Sequence, residues 1–331
     1  MPDAQYILLL LLMCAGGGIL YAWVTMYQRK PEPPSEADIE EMLQEAVRLM
    51  NYKDFKGAIR LTQQINAARP MARAYYLSGC AREELGDLSG ALKDLNRSIA
   101  MEDDIRVSRL RRGWLRLSSG DSAGAVEDFD TVVESEKEAD GKNCQALGLA
   151  LFCAGGNDEE ALYYMDKARG SEEFAGANMY IEYRLWSILA GLGRQREILE
   201  EMKVTVAAEE KRTLAEYYEQ YEYIKKCFAE MGKPVDESGP DLKPKTDWHV
   251  LLGHYLTGQL SESDLLAKAN AETNAETKQE HLCEAHYQIG MYYAGAGSQH
   301  KEKARMHLQK AADTRVAFKD CWAARARLKL L

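Results

Sequence analysis

The chain repeats itself with a period close to 34 residues, and that period constrains its fold more than any other feature. Alanine returns at Ala58, Ala91, Ala125 and Ala161, at intervals of 33, 34 and 36 residues. The last three follow Gly86-Asp87, Gly120-Asp121 and Gly156-Asn157 at a fixed distance. A globular fold has no reason to keep such a spacing. A stack of helix pairs does, because each pair buries its apolar face only against its neighbours.

The residues around these alanines fit that reading. Gly79 and Gly113 stand twelve positions before Ala91 and Ala125, where a small residue lets the two helices of a pair approach. Leu95, Phe129 and Met165 follow the alanines by one helical turn on the same face. Gly86, Gly120 and Gly156 are placed to end the first helix of a pair, and Asp or Asn begins the turn into the second. Pro70 closes the first unit. A fifth unit, around Tyr180 to Met202, keeps Gly193 but carries Ile198 where alanine is expected. Residues 208–232 read as one long helix, with Tyr218 and Tyr221 on its apolar stripe and so expected in the core. The composition is consistent with helix: 46% hydrophobic, 28% charged and only 8 prolines.

The phrases Ser78-Gly79-Cys80-Ala81, Arg112-Gly113-Trp114-Leu115 and Ala125-Val126-Glu127-Asp128-Phe129 resemble the tetratricopeptide (TPR) repeat family over about residues 38 to 170. The resemblance implies an all-α, TPR-type α-solenoid: a right-handed superhelix of antiparallel helix pairs with a concave groove that binds proteins. The groove residues it implies here are Arg73, Tyr76, Arg111 and Trp114. The closing segment from Trp248, notably Cys283-Glu284-Ala285-His286-Tyr287, resembles NlpI-like bacterial envelope TPR proteins, adaptors that bring hydrolases and a protease together.

Tyr6 to Tyr27 is a run of 22 residues without a charge. At a rise of about 1.5 Å per residue it is long enough to cross a bilayer. The leader Met1–Gln5 has no positive side chain, unlike a cleaved signal, and the bulky Met13 before Cys14 is unlike a lipoprotein site. The expectation is a single N-terminal transmembrane helix. Arg29 and Lys30 just beyond it favour a cytoplasmic position for the repeats, with a periplasmic one as the alternative. The organisation read from the sequence is an anchor over 1–30 and a Pro-rich stalk over 31–37. A repeat array over 38–233 follows, with four clear repeats and one degraded, then a linker over 234–247 and a C-terminal TPR-like capping segment over 248–331. Ser35 is the expected N-cap of the first helix.

Chemistry-bearing motifs are absent from the sequence. The formal net charge of -10 disfavours nucleic acid. Seven cysteines form no C-x-x-C pair, no Gly-x-Ser-x-Gly elbow or phosphate loop occurs, and the six histidines fall at spacings that suit no metal. No enzymatic activity, metal or cofactor is expected. The partners expected are proteins or peptides, with a homo-oligomer open through Gly16-Gly17-Gly18. The arginine run Arg106, Arg109, Arg111, Arg112 and Arg116 is read first as paired within the chain, with Glu83, Glu84 or Asp87 as candidates. Any exposed members of the cluster Tyr217, Tyr218, Tyr221 and Tyr223 are a candidate binding surface.

Overall fold

A computed structural model describes residues 34–101, 105–135, 140–172, 179–231, 246–314 and 319–331. The expected anchor (1–30), the stalk residues 31–33 and the linker up to residue 245 lie outside the described residues. Among the described residues no helix is long and apolar enough to cross a membrane. They are α-helical with short 3-10 turns, and they divide into two compact units, one ending at Asp103 and one beginning at Asp104.

The first unit holds α1 (Glu36–Asn51), α2 (Phe55–Ala68), α3 (Ala72–Glu84) and α4 (Leu88–Ala100). Three-residue connections force successive helices antiparallel. Ser35 caps α1 in a capping box with Asp38, as the sequence predicts. Ile39, Leu43, Ala46, Ile65, Ala74 and Leu77 form one core cluster. Gly79 marks the closest approach of α3 to α4: a Cβ there would lie 3.0 Å from Leu95.

The second unit contains α5 (Ile105–Ser119), α6 (Ser122–Glu134), α7 (Gly141–Ala154) and α8 (Asp158–Arg169). It continues through α9 (Met179–Gly191), α10 (Leu199–Glu230), α11 (Trp248–Leu256) and α12 (Glu262–Asn270). It closes with α13 (Ala275–Gly295), α14 (Lys301–Asp313) and α15 (Lys319–Leu330). α5/α6, α7/α8 and α13/α14 are antiparallel pairs. Gly113, Gly148 and Gly290 sit where their helices come closest, against Phe129, Ala161 and Leu308.

The same turn recurs between the helices of a pair. Gly86, Gly120, Gly156 and Gly193 adopt positive φ at the end of a first helix, as their spacing predicts. Asp54, Asp87 and Asp121 then cap the following helix by accepting from the backbone N–H of Gly57, Gly90 and Gly124 at 2.9–3.0 Å. A Cβ on any of these three glycines would lie 2.1–2.3 Å from the capping carboxylate, so cap and glycine come as a set. Asn157 makes no such cap, and Glu160 stands where the glycine would be.

The sequence places a boundary at 234–247, but one core runs through the second unit from Leu117 to Ala324. α13 packs against α9, and α15 packs against α5, α7, α13 and α14. The C-terminal segment therefore shares its core with the repeats. The long helix begins earlier than expected, at Leu199, and Tyr218 is corrected from core to surface at 55% exposed, with Leu214 also exposed. Leu214 and Tyr218 are apolar, yet α10 carries both into solvent.

Candidate protein-recognition face

Two helices of the second unit are buried nearly all round. In α7 every residue from Ala146 to Cys153 is buried, and in α9 every residue from Ile181 to Ala190. A first helix that packed only on its own pair would keep one face exposed. Here α13 covers α9, and α15 covers α7 and α5. The first-helix face of this unit thus already holds a helix.

α15 is held by charge at both ends and by small and aromatic side chains between. Near its start, buried Asp320 pairs with buried Arg184 of α9. Near its end, Arg327 grips Asp158, at the start of α8, with two bonds of 3.1 Å. The same guanidinium donates to the Phe152 carbonyl at 3.3 Å and lies over the Phe152 ring. Gly191 makes room for it, since a Cβ there would lie 2.6 Å from Arg327 Nη2. Between the anchors Cys321, Ala323 and Ala324 are fully buried, and the Trp322 ring lies 6.5 Å from that of Trp114.

Beneath this seat is a second buried carboxyl. Glu284 of α13 accepts from the Trp248 indole at 2.5 Å. Burial, reinforced by the charge of Asp320, pushes its pKa up to about 8. Burial thus favours its neutral acid form, and the carboxylate in contact with Arg184 is Asp320. A cleft of about 710 Å³ flanks α15, lined in part by Leu117, Asp121, Trp322, Arg325 and Lys329.

The four residues assigned to the groove fall in two units. Arg73 and Tyr76 stand one turn apart on α3. Arg73 meets Glu40 of α1 at 3.3 Å, both half-exposed, and Tyr76 packs on the edge of the first core. Arg111 and Trp114 stand one turn apart on α5. Trp114 is half-buried, edge-on to Phe129 at 5.1 Å and beside Trp322, so α15 lies against it. Three members of the arginine run converge on one fully buried carboxylate, Asp128, with Arg109 at 3.4 Å, Arg112 at 2.5 Å and Arg116 at 3.1 Å. Their shared partner is inside the chain, as expected: Asp128, on the companion helix. Arg82 and Asp94, 34 positions earlier, repeat the Arg116–Asp128 pair at 2.9 Å. Among the histidines, His286 meets His307 of α14 at 3.0 Å, and burial with the neighbouring His307 lowers its pKa to about 4. No cluster of three metal-ligating side chains occurs among the described residues.

Arg184, Asp320, Arg327 and Asp158 carry this face, and sequence reasoning missed all four. A signal was present: Leu147–Cys153 and Leu185–Ala190 are almost wholly apolar, and a helix apolar all round must be covered on two sides.

No family model matches the chain. It is 31% identical over 102 residues to tetratricopeptide repeat protein 36 of Danio rerio, which covers 30% of this chain and 54% of that protein. The chain thus spans about half the length of the curated relative it matches. Solved structures similar to it include MamA from Desulfovibrio magneticus RS-1, at 16% identity, TM-score 0.47, over 52% of this chain and 96% of that one. A tetratricopeptide repeat protein from Parabacteroides merdae is similar at 15% identity, TM-score 0.49, over 88% and 98%. The C-terminal part of a TPR-containing protein from Cytophaga hutchinsonii is similar at 13% identity, TM-score 0.45, over 82% and 95%.

Proposed function

We propose that this chain is a membrane-tethered scaffold without catalytic chemistry of its own, and that it holds partner proteins by recognising a peptide or helix on the first-helix faces of its repeats. The observation that carries the reading is α15: a first-helix face of this protein accommodates a helix, anchored by paired charges and by an aromatic contact at Trp114. The uncharged run Tyr6–Tyr27 supports the tether, and a tether raises the local concentration of the faces at a membrane.

A photo-cross-linking residue at Tyr76, in cells, tests the reading. Discrete cross-linked partners are expected, and the charge reversal Arg73→Glu on the same helix is expected to remove them. Partners that survive the reversal sink the groove assignment there. The side of the membrane is tested by a single engineered cysteine in the Pro31–Pro34 strut, with the seven native cysteines replaced, probed with an impermeant thiol reagent in intact cells. Protection supports a cytoplasmic scaffold. Labelling favours the second reading, an envelope-facing adaptor for hydrolases or proteases, drawn from the Cys283–Tyr287 resemblance.

A further inference from the structure

The scaffold reading leaves open what the second unit recognises, and α15 supplies a chemical answer. Its two charged anchors are seven residues apart, about 10.5 Å along a helix, and they have opposite signs. Arg184 demands a carboxylate at one end and Asp158 a guanidinium at the other. The surface between them takes small side chains at Cys321, Ala323 and Ala324 and an aromatic ring at Trp322.

Three features suit this seat to exchange. α15 spans 12 residues, too short to hold its own helix in water without the seat. Its lodging depends on ion pairs at discrete points, and the 710 Å³ cleft leaves one flank unpacked. The seat also does not tolerate emptiness, because Arg184 is buried and would lose its counter-charge. An incoming occupant must therefore bring an acid of its own.

We propose that this face is a helix-recognition site with α15 as its resident occupant, and that it exchanges α15 for a partner helix with the same pattern: an acidic residue, a small–aromatic–small–small run, and an arginine seven positions after the acid. The inference rests on the scaffold reading but concerns a different surface from Tyr76, so the two fail separately. In the resting chain α15 keeps the seat closed, because a tethered helix competes at high effective concentration.

The test uses the full chain and a fluorescent peptide of residues 319–331. The substitution Arg327→Glu sets two carboxylates against each other at Asp158 and loosens the resident helix. The variant, which keeps cooperative urea unfolding and loses no more helix than α15 itself, is expected to bind the peptide at least tenfold more tightly than the wild type. A peptide carrying Asp320→Arg is expected to lose that gain. No gain in the folded variant overturns the proposal, and so does a gain indifferent to Asp320→Arg. A variant dimer with α15 traded between copies also overturns it, in favour of a second copy as occupant. Hydrogen exchange of the wild-type chain decides the case even where the variant fails to fold. Amides of Cys321–Leu330 are expected to exchange at least tenfold faster than those of α7 and α9, whereas exchange in step with α7 and α9 overturns the proposal. If peptide exchange holds while Tyr76 captures nothing, the scaffold reading fails in the first unit and the helix seat stands.

Discussion

Asp128 shows how much one buried side chain carries. Its carboxylate is fully enclosed and takes bonds from Arg109, Arg112 and Arg116, which are themselves largely covered. Replacing it with asparagine keeps the volume and leaves three guanidinium groups around a neutral amide. The expected loss, read by urea denaturation, is about 3 kcal/mol, toward the low end for a broken buried pair because the arginines keep some access to water. The companion change Asp94→Asn, where Arg82 and Ser78 are the main partners, is expected to lose roughly half as much. Packing is as exacting at Gly113. A Cβ there would meet the Phe129 ring at 2.7–3.0 Å, and that ring is fully buried with nowhere to retreat. Gly113→Ala is therefore expected to destabilise the second unit by about 1–3 kcal/mol in the same measurement, despite alanine's better helix propensity.

The turn between the helices of a pair is built from a glycine at positive φ, a capping aspartate and a second glycine three residues on. The first repeat departs from it at one position. Lys53 occupies the left-handed conformation with φ 61°, where later repeats use Gly86, Gly120 and Gly156. A side chain there costs about 1–2 kcal/mol relative to glycine, offset in part by glycine's greater freedom when unfolded. Lys53→Gly is expected to raise the stability of the first unit by about 0.5–1 kcal/mol, seen as a higher urea midpoint with an unchanged slope. A fall in the midpoint would mean that the lysine side chain contributes more than its backbone strain costs. These turns were legible in the sequence because each rests on local chemistry: a glycine for its φ, an aspartate for its cap, a fixed number of residues between them. The fate of α10 was not. Leu214 and Tyr218 lie one turn apart on an apolar stripe, but both are exposed. A stripe states what a helix can bury, whereas burial depends on what lies opposite.

On the scale of the whole chain, the repeat period announced the helix pairs within α1–α4 and within α5–α8, and the apolar run Leu147–Cys153 announced that α7 is covered on two sides, yet nothing local announced that the cover is α15. Its anchors are pairs distant in sequence, Arg184 with Asp320 and Asp158 with Arg327, and single charged residues on a short helix look alike whether they are solvated or buried. The buried charge beneath α15 has a consequence for pH. Glu284 has its pKa raised to about 8 by burial and by Asp320, against about 4.3 in an unfolded chain. The folded state holds a proton that the unfolded state gives up, so stability is full below pH 4.3 and is lost as pH rises through 8. His249, His281, His286 and His307 act in the opposite sense. Burial lowers all four, so their contribution is present above pH 6.5 and is lost as pH falls below it. Unfolded histidines are half protonated at pH 6.5 and keep part of that charge to about pH 7.5, so the two effects oppose each other from pH 4.3 to about 7.5. Only above about pH 7.5 are the histidines neutral in both states, and there the Glu284 effect stands alone until it is complete somewhat above pH 8. The urea midpoint of the second unit is therefore expected to fall across that window, and Glu284→Gln, which keeps an acceptor for the Trp248 indole, is expected to flatten the fall. A slope unchanged in the variant would mean that Glu284 is already ionised in the folded chain, with Arg184 shared between two carboxylates.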